Sequence, residues 1–304
     1  MSAAKSSTGK QSTGKQSTGR QQRARYRRSR RARRGGSNWT LWIVLGVIVV
    51  VGVALIVAST STGGNSSSAS TRSPAPKALV DKVTSVPQTV ADEVGLGTAK
   101  LPTVIGAPTA TSDGKPVITY VGAEYCPYCA GERWAMVLAL SRFGTFSNLS
   151  TTHSASEDVL PDTQTFSFHG STYTSPYLQF DPVELQTNQL AGNSYQTLDK
   201  PTDAQNALMA KYDVAPYFKS NGAIPFVYFA GKYALSGASY DVSALQGKSA
   251  TEIAAAMHDP TSAIAKGIVG TANAITASIC AATGDQPASA CATPAVKAIR
   301  SQLG

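Results

Sequence analysis

Val117-Ile118-Thr119-Tyr120-Val121-Gly122-Ala123-Glu124-Tyr125-Cys126-Pro127-Tyr128-Cys129 is the stretch that decides the fold. Pro116 to Val121 is short, rich in β-formers and bounded by turn residues, which predicts a buried strand. Directly after Cys129, Ala130 to Phe143 holds good helix formers with apolar residues at Trp134, Val137, Leu138 and Leu140, and Gly144 follows as a stop. A CxxC between strand and helix has a chemical logic. Its first cysteine meets the unsatisfied N–H groups and positive dipole end of the helix, which favour a thiolate, the nucleophilic form. Pro127 suits the first turn, where its missing N–H would have had no partner. Cys129, one turn on, is placed to resolve a mixed disulfide at Cys126.

Working outward toward the N-terminus, Trp39 to Ala58 is apolar and free of charge. Its roughly 20 residues suffice to span a hydrocarbon core of about 30 Å. Trp39 and Trp42 stand where indoles favour headgroups, and the arginines lie only on the N-terminal side, so the tail is expected in the cytoplasm and the rest outside. A cleavable signal peptide competes, but its apolar region is usually shorter, about 7–15 residues, so an uncleaved anchor is expected. Residues 1–38 carry 12 of the 27 Lys and Arg and no acid, leaving 15 basic against 18 acidic side chains in 39–304. The basicity therefore belongs to the tail. Its three Ser-Thr-Gly-Lys/Arg-Gln repeats read as disordered, and Arg23 to Arg34 reads as a topology and lipid-headgroup signal. No aromatic interleaving supports nucleic-acid binding. Residues 59–76 read as a flexible linker, and the folded domain as 77–304.

Toward the C-terminus, Leu149 to His153 and parts of Phe166 to Phe180 suggest strands, Thr202 to Tyr212 a capped helix, and Phe226 to Ala230 a strand. Ser249 to Met257 and Ile264 to Ala281 suggest helices, whereas Val80 to Val104 has no clear pattern. Alternating strands and helices predict an α/β layered domain. In Gly222-Ala223-Ile224-Pro225-Phe226-Val227-Tyr228-Phe229, Pro225 opens a strand, where its lack of an N–H is tolerated. Cis and trans Ile224–Pro225 both remain open at this point.

The segment from Val117 to Cys129 resembles the strand and active-site helix of the thioredoxin superfamily, with Ala123-Glu124-Tyr125 where thioredoxins commonly have Ala-Glu-Trp. Ile224-Pro225 with Phe226 to Phe229 resembles that superfamily's cis-proline loop and next strand. The membrane anchor together with Gly-Ala-Glu-Tyr-Cys-Pro-Tyr-Cys is similar to an uncharacterised exported family, domain of unknown function 929. The resemblance implies a thioredoxin-like fold, a central mixed sheet flanked by helices with helical additions, preceded by one transmembrane helix. It also suggests redox chemistry without naming a substrate. One departure is plain: Tyr120 stands where thioredoxins carry a buried acid.

The remaining candidates are weighed individually. Cys280 and Cys291 bracket a loop between two helices and read as a structural disulfide, with a second redox pair as the alternative. Ten residues between them do not make a second CxxC, so zinc is disfavoured. Copper delivery would join one imidazole to the two thiolates; of His153, His169 and His258, His153 could come near the CxxC, but nothing in the sequence puts it there. Glu124 and Glu132 flank the motif and read as dipole-favourable acids, and Trp134, Tyr173, Tyr177 and Phe180 as an apolar wall.

Together these readings predict a membrane-anchored thiol–disulfide oxidoreductase facing outward, with the oxidase direction favoured. Cys126 and Cys129 carry the chemistry, while Ile224, Pro225, Tyr125 and Tyr128 face the client. No cofactor or metal is needed; the partners are exported protein thiols or disulfides, a membrane redox partner and the bilayer, not nucleic acid. The alternatives are a non-catalytic thioredoxin-like module for binding or copper handling, and a scaffold working through its basic tail.

Overall fold

The computed structural model describes residues 71–303. The basic tail, the anchor at 39–58 and the linker up to residue 70 lie outside the described residues.

A mixed sheet forms the centre of an α/β domain. Its labelled strands are β1 (Thr103–Val104), β2 (Thr111–Ser112), β3 (Lys115–Gly122), β4 (Gln179–Glu184), β5 (Phe226–Phe229) and β6 (Tyr233–Ser236). The order across the sheet is β1-β6-β5-β3, with β4 parallel to β3 on its other side. β2 folds back on the start of β3 through Asp113-Gly114, both at positive φ, as a two-residue hairpin turn requires. Side chains alternate on β3 and β5 with the period of a pleated strand. Ile118, Tyr120, Val227 and Phe229 enter one core, while Val121, Phe226 and Tyr228 enter a smaller one on the opposite face.

The helices are α1 (Lys77–Thr84), α2 (Gln88–Val94), α3 (Pro127–Ser141), α4 (Asp203–Tyr212), α5 (Ala250–Ala256), α6 (Ala263–Thr283) and α7 (Pro294–Arg300), with a single turn at Ala288–Cys291. Helices α3 and α6 pack together on the face of the larger core. Arg142 after α3 ties them by donating to Asn273 Oδ1 at 3.0 Å and Thr276 Oγ1 at 2.8 Å. Among the described residues, α6 alone is long and apolar enough to cross a membrane, yet 89% of its most apolar window is buried within the domain. Apolarity on all sides is here the mark of a core helix.

The expected strands and helices downstream of the CxxC are present. The unreadable segment Val80 to Val104 holds most of α1, all of α2 and the edge strand β1. The folded part also begins earlier than residue 77: Ser73–Pro74 pairs with Ser150–Thr151, and Arg72 reaches Glu124. A Ser/Thr-rich composition does not prevent a short edge strand where a partner offers free backbone groups.

Candidate active site

Cys126 ends the turn after β3 and is the N-cap of α3, with φ −77° and ψ 119°. Its Sγ accepts the Cys129 N–H at 3.2 Å, taking the place of a capping oxygen, and Pro127 fills the first helical position. Cys129 is fully buried and Cys126 only 4% exposed, and both are free thiols. The two are differentiated. A hydrogen bond from the Cys129 thiol holds the Cys126 pKa below its ordinary value, aided by backbone N–H groups and Arg133, while burial opposes. Burial raises Cys129 well above its ordinary value, reinforced by its bond to Cys126. Of the two thiols, Cys126 is therefore the one that ionises first.

Ile224–Pro225 is cis, and the Ile224 carbonyl faces the Cys126 thiol, S···O 3.8 Å. Tyr125 stacks on Tyr195, centroids 4.3 Å apart and planes 7° apart, while Tyr128 stays 43% exposed. All six residues expected to act in exchange or client contact thus sit on or beside one junction, the start of α3.

Beneath the pair lies a charge that the motif alone did not announce. Arg133 is fully buried and forms a bidentate pair with Glu184, Nε to Oε1 2.8 Å and Nη2 to Oε2 2.7 Å. Its Nη2 also donates to the Ala123 carbonyl at 2.6 Å, whereas Nη1 has no hydrogen-bond partner. Burial works against the guanidinium charge, but Glu184 restores it and holds its pKa above the ordinary value. Arg133 lies seven residues after Cys126 and four after Cys129, so helical spacing put it on their face. That signal was available in the sequence; Glu184, at the end of β4, gave none.

Tyr120 occupies the place of the missing acid. Its ring lies 6.0 Å from the Arg133 guanidinium carbon, and its buried hydroxyl has no hydrogen-bond partner. Burial raises its pKa well above the ordinary value, so it stays neutral. Gly122 makes room for it, since a Cβ there would collide with the Tyr120 hydroxyl.

Several expected residues take other places. Glu124 and Glu132 are not surface acids at a helix start. Glu124 accepts from Arg72 at 2.9 Å and Ser167 at 2.6 Å, while Glu132 accepts from the Ser239 hydroxyl at 3.0 Å. Burial pushes Glu132 up to about 7. The aromatic wall is divided: Trp134 meets Phe166, whereas Tyr173 and Phe180 join Phe146 and Phe168. His153 bonds the Ser154 carbonyl, His169 pairs with Asp199, and His258 bonds the Lys82 carbonyl. No group of three or more His, Cys, Asp or Glu able to hold a metal occurs among the described residues.

Cys280 and Cys291 form a disulfide, Cα to Cα 5.6 Å. Tyr240 bonds the Gly131 carbonyl at 3.1 Å near the start of α3 and packs over Gly267 of α6. From Gly267 to Cys280 the helix rises about 20 Å, so this bridge lies toward the other end of α6 from the CxxC.

The family described as Domain of unknown function (DUF929) matches residues 104–281, which include both the CxxC and the Ile224–Pro225 loop. The chain belongs to the DUF929 family. The match leaves out α1, α2 and Cys291, so the helical additions at both ends lie wholly or partly beyond the family's shared segment. No curated protein and no solved structure matches the chain significantly.

Proposed function

We propose that this DUF929 protein is a membrane-anchored thiol–disulfide oxidoreductase of thioredoxin-like fold that donates disulfides to exported polypeptides. The observation that carries the reading is the division between the two thiols: Cys126 caps a helix N-terminus, where its pKa is lowered, and is backed by a buried Cys129 whose pKa is raised. The cis Ile224–Pro225 loop against Cys126 and the placement of β3, α3 and β5 support the fold assignment. The charge-free run from Trp39 to Ala58, with arginines only before it, supports an anchor and an outward-facing domain.

In the donating direction, a client thiolate attacks Cys126 Sγ of the Cys126–Cys129 disulfide. The S–S bond breaks, and Cys129 leaves as a thiolate that takes up a proton. A second client thiolate then attacks the client sulfur of the mixed disulfide and releases Cys126. The client loses two electrons and the pair gains them; a membrane redox partner must remove them again. Direction follows from charge. Arg133 and the helix terminus stabilise thiolate in the reduced pair, and a stabilised reduced form makes a stronger oxidant. The bridge between Cys280 and Cys291, toward the far end of α6, acts as a structural tie in this reading.

The test is the reduction potential of the full-length chain, equilibrated with dithiol buffers and read by mass-tagging of free thiols. A value of roughly −120 to −180 mV is expected, the range of disulfide donors and isomerases. A value near −270 mV or lower, roughly that of a thioredoxin, overturns the donor reading. A second reading, a binding module with an inert CxxC, is favoured by the low exposure of Cys126. It requires a pair that stays oxidised below about −300 mV.

A further inference from the structure

We infer that the rim beside Cys126 receives an extended client segment carrying a lysine or arginine next to its reacting cysteine. The inference rests on the exchange reading above and names the client that this site takes.

Among the described residues, four large hydrophobic side chains are exposed: Val104, Tyr128 at 43%, Val159 at 70% and Leu190 at 48%. Three of the four lie in the CxxC or in segments tied by backbone hydrogen bonds to the two residues before it. Tyr128 lies within it. Val159 is carried by the loop of residues 154–162, which is fastened to the motif where the Ala155 N–H donates to the Tyr125 carbonyl at 2.9 Å. Leu190 belongs to a two-stranded hairpin, Gln186–Ala191 with Ser194–Thr197, whose base is fastened where the Glu124 N–H donates to the Gln186 carbonyl at 2.8 Å. Within that hairpin Leu190 pairs directly with Tyr195, the residue whose ring stacks on Tyr125.

Two segments remote in sequence are therefore pinned to the two residues preceding the nucleophile. Tyr125, Tyr195 and Leu190 belong to neither hydrophobic core. The surface they make is apolar, aromatic and adjacent to a reactive thiol.

Two acids stand beside it. The loop that brings Val159 also brings Glu157 and Asp158. After burial and the two cysteines, Asp158 is the group that raises the Tyr125 pKa, and after burial Asp158 with Glu157 does the same at Tyr195. A cation on an incoming chain would meet an aromatic pair and two carboxylates together. The same cation would lower the pKa of the client cysteine beside it, and the thiolate is the form that attacks Cys126. Recognition and activation thus ask for the same side chain in the client. An acidic client would be repelled and would present a less ionised thiol.

The experiment uses the full-length chain with its CxxC oxidised and three synthetic peptides. They are equal in length, each with one cysteine pair, the neighbours of each cysteine being Arg, Gln or Glu. Rates of CxxC reduction are divided by each peptide's rate with a small soluble disulfide, which removes intrinsic thiol reactivity. The Arg peptide is expected to exceed the Glu peptide by about tenfold at low salt, the sum of an exposed cation–π contact and a surface ion pair. The margin should shrink in 1 M salt. Glu157→Gln with Asp158→Asn should collapse it toward unity, and Tyr195→Ala should reduce it for the Arg peptide. Equal corrected rates for all three peptides overturn the rim assignment while exchange itself stands. An Arg preference untouched by the double variant overturns the role of the carboxylates. No exchange with any peptide or with dithiothreitol overturns the exchange reading and this inference with it.

Discussion

The protein holds two cysteine pairs, and both are almost entirely withdrawn from solvent, so burial does not tell them apart. Position on a helix does. Cys126 caps the N-terminus of α3, where free N–H groups and the dipole favour a thiolate. Cys280 lies in the last turn of α6, followed by a left-handed Gly284, where the dipole disfavours one. The first pair is free and rests on a buried guanidinium; the second is closed into a bridge across eleven residues of sequence. On the proposed function, the N-terminus of one helix makes a thiol reactive, whereas the C-terminus of another carries a closed bridge.

Replacing each pair should break the comparison cleanly. Cys126→Ala is expected to reduce client oxidation to the uncatalysed background, measured as thiol loss from a reduced substrate protein. Cys280→Ala with Cys291→Ala should leave that rate and the reduction potential unchanged but lower stability by about 3 kcal/mol in urea unfolding, from loop closure. A double variant that loses exchange would make the second pair a relay.

The buried charge offers the next largest effect. Glu184→Leu leaves Arg133 charged and unpaired in the interior, which should cost about 3–5 kcal/mol. Arg133→Met combined with Glu184→Leu should recover most of that stability, because a packed apolar pair often replaces a buried ion pair without loss. The same double variant should raise the Cys126 pKa, read from the thiolate absorbance, and shift the potential to more negative values. If stability returns and the potential does not move, Arg133 is only structural.

Glu132 lies in the second turn of α3 and makes the active end of that helix sensitive to pH. Its buried carboxyl titrates at about 7 in the fold, against 4.5 for the ordinary group. Between these values the folded state holds a proton that the unfolded state has released. Stability therefore falls as pH rises from 4.5 to about 7 and is level above, a loss of about 3 kcal/mol. Glu132→Gln should flatten that part of the curve in urea unfolding at pH 5 and pH 7.5; an unchanged slope would assign the titration elsewhere.

What could be read from the sequence follows the strength of local signals. β3 and α3 were legible because a β-branched run, a proline and a segment of good helix formers meet at the CxxC. Helices α4 and α5 announce themselves through capping boxes at Thr202 with Gln205 and Ser249 with Glu252. Helices α1 and α2 start after Pro76 and Pro87 with no side-chain cap, so their beginnings carry no Ser/Thr/Asp/Asn signal. The hairpin of residues 186–197 is mostly polar and has no period-two pattern to find. Long-range pairings were the least visible. Arg133 stands out by spacing from the cysteines, but its partner is 51 residues away, and Tyr195 reaches Tyr125 only through the tertiary fold.

The smallest effect concerns Tyr120, beside the Arg133 guanidinium. A buried hydroxyl with no hydrogen-bond partner loses its hydration on folding and gains nothing in return. Tyr120→Phe keeps the ring beside Phe168 and Arg133 and removes only that oxygen. It should stabilise the protein by about 1 kcal/mol, seen as a higher Tm. Because burial keeps the phenol neutral, it cannot take the Cys129 proton, so the resolution rate of a trapped mixed disulfide should be unchanged. A slower resolution would instead make Tyr120 part of the proton path, and the contrast between the two cysteine pairs would then include a base as well as a charge.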